Sequence, residues 1–156
     1  MAELEILMLA NHAEATNGLL YVLGGGWTHH WRPPPPPRDQ GQGQPSAIAI
    51  AAAFLIDGAE DAEHPFSLRI EDAAGSDVLR AEGSFRVGDP QAAAEFPTRN
   101  VFAVNASVVF VGAGAYRLVG EVDHGTPRVV PFWVHDGMPQ RPEQPAEADA
   151  APTGYL

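Results

Sequence analysis

Residues 98–134, TRNVFAVNASVVFVGAGAYRLVGEVDHGTPRVVPFWV, decide the fold. Phe102, Val104, Ala106, Val108 and Phe110 share one parity. Tyr116, Leu118, Gly120 and Val122 repeat it after a Gly-Ala-Gly-Ala break, and Val130, Phe132 and Val134 repeat it again beyond Asp123-His124-Gly125. Apolar residues at every second position, bounded by glycine-rich turns, describe strands with one face in a core and the other in water. The segment predicts three antiparallel strands in sequence order, a meander. Pro131 removes a ladder donor from the last strand, which places that strand at an edge or a bulge. Trp133 and His135 fall on its opposite parity, so this edge presents an apolar surface to another chain.

The rest of the chain reads the same way. Leu4, Ile6 and Met8 mark a first strand over Glu3–Ala10, and the turn dipeptide Asn17-Gly18 launches a second over Leu19–Leu23. Gly24-Gly25-Gly26 breaks the pattern as a bulge or tight corner; it matches no phosphate-loop motif and no helix pattern follows it. Trp27 to Arg32 is a short strand. Residues 47–56, AIAIAAAFLI, are alanine-rich and so open to a helix, yet Ile48, Ile50, Phe54 and Ile56 share one parity and make a strand. Phe66–Ile70 and Val78–Val87 follow, joined through Asp72-Ala73-Ala74-Gly75. Residues 88–97, GDPQAAAEFP, cross to the last three strands with room for one helical turn. Eight or nine short strands predict an all-β fold, an antiparallel β-sandwich of Ig-like or jelly-roll-like kind.

That domain spans residues 1–137. Residues 33–46 form an exposed proline-rich loop inserted within it, because five consecutive prolines favour polyproline II over any ladder. A loop expansion accounts for it better than a ligand for SH3 or WW grooves. Residues 138–156 are rich in Pro, Ala and acid without an apolar period, which predicts a disordered acidic tail.

Composition narrows function by exclusion. The formal net charge is -11, carried against nine Arg with no Lys, in a chain of 156 residues. No Arg cluster offsets that charge, so neither nucleic acid nor an anionic membrane is an expected partner. The absence of Cys removes disulfides, thiolate metal ligands and thiol nucleophiles. The N-terminus lacks the basic region of a signal peptide, and no run approaches membrane-spanning length, so a cytoplasmic location is expected. Missing Lys beside abundant Ala, Gly and Pro reflects a GC-rich genome.

Few residues suggest chemistry. Trp27, His29, His30 and Trp31 form the richest cluster, and strand parity puts Trp27, His29 and Trp31 on one face with His30 on the other. Burial of both indoles with the histidines at a rim is the favoured reading; an exposed aromatic platform for a sugar, a peptide or a partner domain is the alternative. Neighbouring histidines on a strand point to opposite faces and cannot share a metal. His12, His64, His124 and His135 scatter over turns and strand ends. The acidic group Asp57, Glu60, Asp61 and Glu63, with Glu71, Asp72 and Asp77, lacks an EF-hand pattern and is best read as solvated surface. No metal site, cofactor or catalytic residue is expected. The sequon Asn105-Ala106-Ser107 lies within a strand and is discounted. Tyr116 occupies the place of a corner tyrosine, its hydroxyl bonding nearby backbone.

The string NGLLYVLGGGW and the late GAYRLVGEVDHGTPRVVPFWV resemble an uncharacterised family of short actinobacterial proteins. They share an NG-strand-GGGW opening and a closing Ig-like hairpin. The resemblance covers residues 3–135 apart from the proline loop. It implies the sandwich fold and no activity.

The sequence thus points to a non-catalytic interaction or assembly module, binding a protein partner or itself through Trp27, His29, His30, Trp31 and the Trp133 edge. Two rivals remain. A carbohydrate- or small-molecule-binding sandwich requires exposed indoles, and a calcium- or metal-dependent enzyme requires the acids or histidines to converge.

Overall fold

The computed structural model describes residues 2–34, 43–56, 62–87 and 95–139. Most of the proline loop, the acidic residues 57–61, most of the 88–97 crossing and the tail from residue 140 lie outside them. Among the described residues nine strands run in order: β1 (Ala2–Thr16), β2 (Leu19–Gly25), β3 (His29–Arg32), β4 (Ser46–Ile56), β5 (Glu63–Glu71), β6 (Asp77–Arg86), β7 (Thr98–Val108), β8 (Gly114–Val122) and β9 (Arg128–Asp136). They form two sheets, β2-β1-β4-β7 and β3-β9-β8-β5-β6, packed as a β-sandwich. Pairing is antiparallel throughout except between β3 and β9, which run parallel. Among the described residues, no helix is long and apolar enough to cross a membrane.

The main core lies between the sheets. Ile48, Ile50, Ala52, Phe54 and Ile56 of β4 face Leu68, Ile70, Leu118, Phe132 and Val134 of the opposite sheet. Phe54, Phe66, Phe85 and Phe102 make a tilted and edge-on aromatic cluster, with Phe66 and Phe102 centred 4.6 Å apart, the arrangement that ring quadrupoles favour.

The last three strands are not a meander. β7 pairs with β4, and residues 109–113 carry the chain across to the other sheet, where β8 and β9 form a hairpin. Alternation had marked a buried face on each strand, but it does not say which sheet a strand joins. β1 also departs from simple parity. A register shift between Leu4 and Ile6 turns Leu7 and Leu9 into the core and leaves Met8 outside it, as one extra residue must.

β4 is buried on both faces. Its odd-numbered alanines, Ala49 and Ala51, join Ala10 and Ala13 in a second cluster outside the main core, against Met8, Leu20 and Ala103. The distal β1–β2 hairpin therefore lies over this sheet, and small side chains let it approach. Asn105 of β7 holds it there: its Oδ1 accepts from the Ala13 amide at 3.1 Å, and its Nδ2 donates to the Ala13 carbonyl at 2.7 Å. The sequon amide is thus committed to backbone. Gly24 and Gly26, at φ +59° and +79°, make the corner that leads out of β2.

Tyr116 is buried, and its hydroxyl donates to the Gly112 carbonyl at 2.8 Å and accepts from the Gly112 amide at 3.3 Å. This is the expected corner.

Candidate functional site

The strand β3 decides where the suggestive aromatic residues go. It pairs with β9 in the register His29↔Trp133, His30↔Val134, Trp31↔His135 and Arg32↔Asp136. Arg32 fastens this short strand. Its Nε donates to Asp136 Oδ1 at 2.6 Å, and its guanidinium also donates to the Phe110 carbonyl, with the side chain buried. The Trp133 amide donates to the Thr28 carbonyl at 2.9 Å, and the Gly137 amide to the Arg32 carbonyl at 3.0 Å.

β9 is consequently covered by β3 rather than standing at the edge. Pro131 precedes the paired stretch Trp133–Asp136, in the half that β3 leaves open. Its N–H would have pointed the same way as that of Trp133, so no ladder bond is lost.

The parity expectation fails for Trp27. The residue sits in the bend before β3, after Gly26 at φ +79°, so strand alternation does not reach it. Its indole packs edge-on against Phe132 at 5.7 Å and beside His30 at 5.2 Å, part-buried on the core side. His30 also meets Phe110 at 5.5 Å, and burial holds its imidazole below the ordinary 6.5. Trp27 and His30 are therefore core-side residues.

His29, Trp31, Trp133 and His135 share the outer face. Trp31 is 39% exposed and Trp133 47%, which overturns the reading that Trp31 is buried. Trp31 stacks on His135, with centroids 5.0 Å apart and planes at 19°. His29 Nδ1 and His135 Nε2 share a hydrogen bond of 2.8 Å, which requires one ring to be neutral as acceptor. Sequence reasoning left His135 among the scattered histidines. Its parity with Trp133 was visible, but the β3–β9 pairing spans more than a hundred residues and has no local signal.

Charge borders this quartet at Asp136, exposed next to His135, and at Arg117, which pairs with Pro131. Val129 and Pro131 of β9 are exposed beside it, and Ala115 of β8 pairs with Trp133. Arg117 Nη2 donates in turn to Glu71 at 2.9 Å, which also accepts from Arg69 Nε at 2.6 Å. At the free edge of β3 the surface falls into an open depression bordered by Asn11, Gly24, Gly26, Trp27, His30 and Trp31. What the arrangement offers is a broad aromatic face, bordered by charge, with hydrogen-bonding imidazole edges.

The remaining histidines serve packing or sit in solvent. His64 lies within β5, 2% exposed, with Nδ1 bonded to Asp123 Oδ2 at 2.8 Å and its ring beside Phe85 at 5.3 Å. Asp123 in turn donates its amide to the Pro65 carbonyl at 2.9 Å. The pair ties the β8–β9 turn to β5. Among the described residues, no three His, Asp or Glu side chains converge as a metal site would need.

No curated protein matches this chain. Residues 5–135 match the family model described as "Family of unknown function (DUF6941)". The match runs from within β1 to within β9 and so takes in all or part of each of the nine strands among the described residues, and the chain belongs to that family.

Proposed function

We propose that this protein is a non-catalytic interaction module that docks a protein partner on the outer face of β3 and β9. One observation carries the reading: Trp31 and Trp133 stand exposed on one aromatic face, held in place by a buried arginine clamp. Large indoles on a rigid sheet give contact area at little entropic cost, which is why such residues dominate binding hot spots. A broad sheet surface suits a protein partner better than a small ligand, which prefers an enclosed concave site. A sugar-binding platform is the second reading, supported by the same exposed indoles. The lack of Lys and the abundant Ala, Gly and Pro support an actinobacterial, GC-rich origin. A cytoplasmic location is part of the proposal, and the net charge of -11 supports a role away from nucleic acid and anionic lipid.

The test compares two baits in lysate of the source cells, wild type and the Trp31→Ser/Trp133→Ser variant. A protein retained by the wild type and lost with the variant is the expected outcome. The same proteins on both baits, or none on either, overturns the proposal. Sugar-eluted material on the wild-type bait would favour the second reading.

A further inference from the structure

The edge strand β2 is a separate surface with its own logic. It pairs only with β1 among the described residues, and its side chains are Leu19, Leu20, Tyr21, Val22 and Leu23 followed by two glycines. Leu20 turns onto the alanine cluster, while Leu19, Tyr21 and Leu23 point away from it at 57%, 55% and 69% exposure. An exposed apolar edge strand is ordinarily blunted by charge, proline or a bulge. Two of the other edges carry exposed charge, Arg99 in β7 and Asp77, Arg80, Glu82 and Arg86 in β6, and the third, β3, is only four residues long with its Arg32 buried. β2 carries none.

We propose that β2 is the self-association edge, where a second copy of this chain adds its own β2 antiparallel to form one continuous sheet. Two features on the strand select that occupant. The first is self-complementarity. With a twofold axis through Tyr21, Leu19 faces the partner's Leu23, Leu20 faces the partner's Val22, and the two Tyr21 rings meet. Each pair lies on one face, as antiparallel pairing requires. The second is charge: two chains of net charge -11 repel, and β2 itself has no carboxylate, the nearest in register being Glu14 of β1 opposite Tyr21. Main-chain bonds along the free edge then add to the apolar pairs.

Light scattering across micromolar concentrations tests this. The wild type is expected to reach twice the 16.6 kDa of one chain. Added salt should tighten the dimer by screening the like charges. Tyr21→Arg and Tyr21→Glu should each be monomeric, and their mixture should restore the dimer. A Tyr21→Cys variant supplies the only thiol in the chain. On oxidation it should form a disulfide-linked dimer many times faster than Val111→Cys, an exposed position off this edge. That readout decides the matter even if the charged variants fold poorly. A wild type that stays monomeric, a dimer that survives Tyr21→Arg, or equal rates for the two cysteine variants overturns the proposal. The Trp31→Ser/Trp133→Ser variant should remain dimeric, so this edge and the β3–β9 face fail or succeed separately.

Discussion

His30 shows how one residue ties the edge of the sheet to solution conditions. Its ring is packed between Trp27 and Phe110, and burial pushes its proton affinity below the ordinary 6.5. Beneath that value the unfolded chain takes up a proton that the folded chain resists, so this contribution to stability falls as pH drops and is level above it. The expected outcome is a lower thermal midpoint on going from about pH 7.5 to about pH 5.5, with a shallower slope in His30→Phe. An identical slope in the variant would contradict the assignment. Residues differ in how far sequence alone exposes such roles. Tyr116 was legible because its partner Gly112 is four positions away. Arg32 and His135 were not, because Asp136, Phe110 and His29 reach them only through the fold. Trp27 misled because parity was carried one bend too far.

At the scale of elements, the double burial of β4 explains its alanines. The even positions fill the sandwich, and the odd ones must be small for the β1–β2 hairpin to lie over them. Asn105 is the polar latch of that arrangement, imitating a strand partner for Ala13. Asn105→Ala should destabilise the protein by about 1–3 kcal/mol, since both Ala13 groups lose their partner. Chemical denaturation measures that loss, and amide exchange should quicken between residues 11 and 25 ahead of the core strands. Unchanged exchange there would mean the hairpin is held by apolar contact alone. The strands themselves were readable, since the bulky residues of each keep a period of two. The sheet that each strand joins was not, because alternation records a buried face and is silent about its neighbour. The parallel β3–β9 pair and the departure of β7 from β8 both fall in that gap.

For the whole molecule, the charge distribution sorts its surfaces. Among the described residues, an acidic chain with ion-paired arginines over β5, β6 and β8 leaves two exposed apolar or aromatic regions, the β2 edge and the outer face of β3 and β9. Exposed apolar areas of this kind are where soluble proteins meet partners. The sequence located the second region through its tryptophans but put Trp27 and Trp31 on one face and buried both, which holds for Trp27 and fails for Trp31. The central claim is that Trp31 and Trp133 face solvent in the free protein while Trp27 packs against the core. Acrylamide quenching of indole emission, in the wild type and in Trp31→Phe/Trp133→Phe, tests it most directly. The wild type should show red-shifted, readily quenched emission, and the variant should retain only the blue-shifted, weakly quenched signal of Trp27. Wild-type emission that is blue-shifted and resistant to quenching would contradict the account, since no open aromatic face would then exist for a partner to meet.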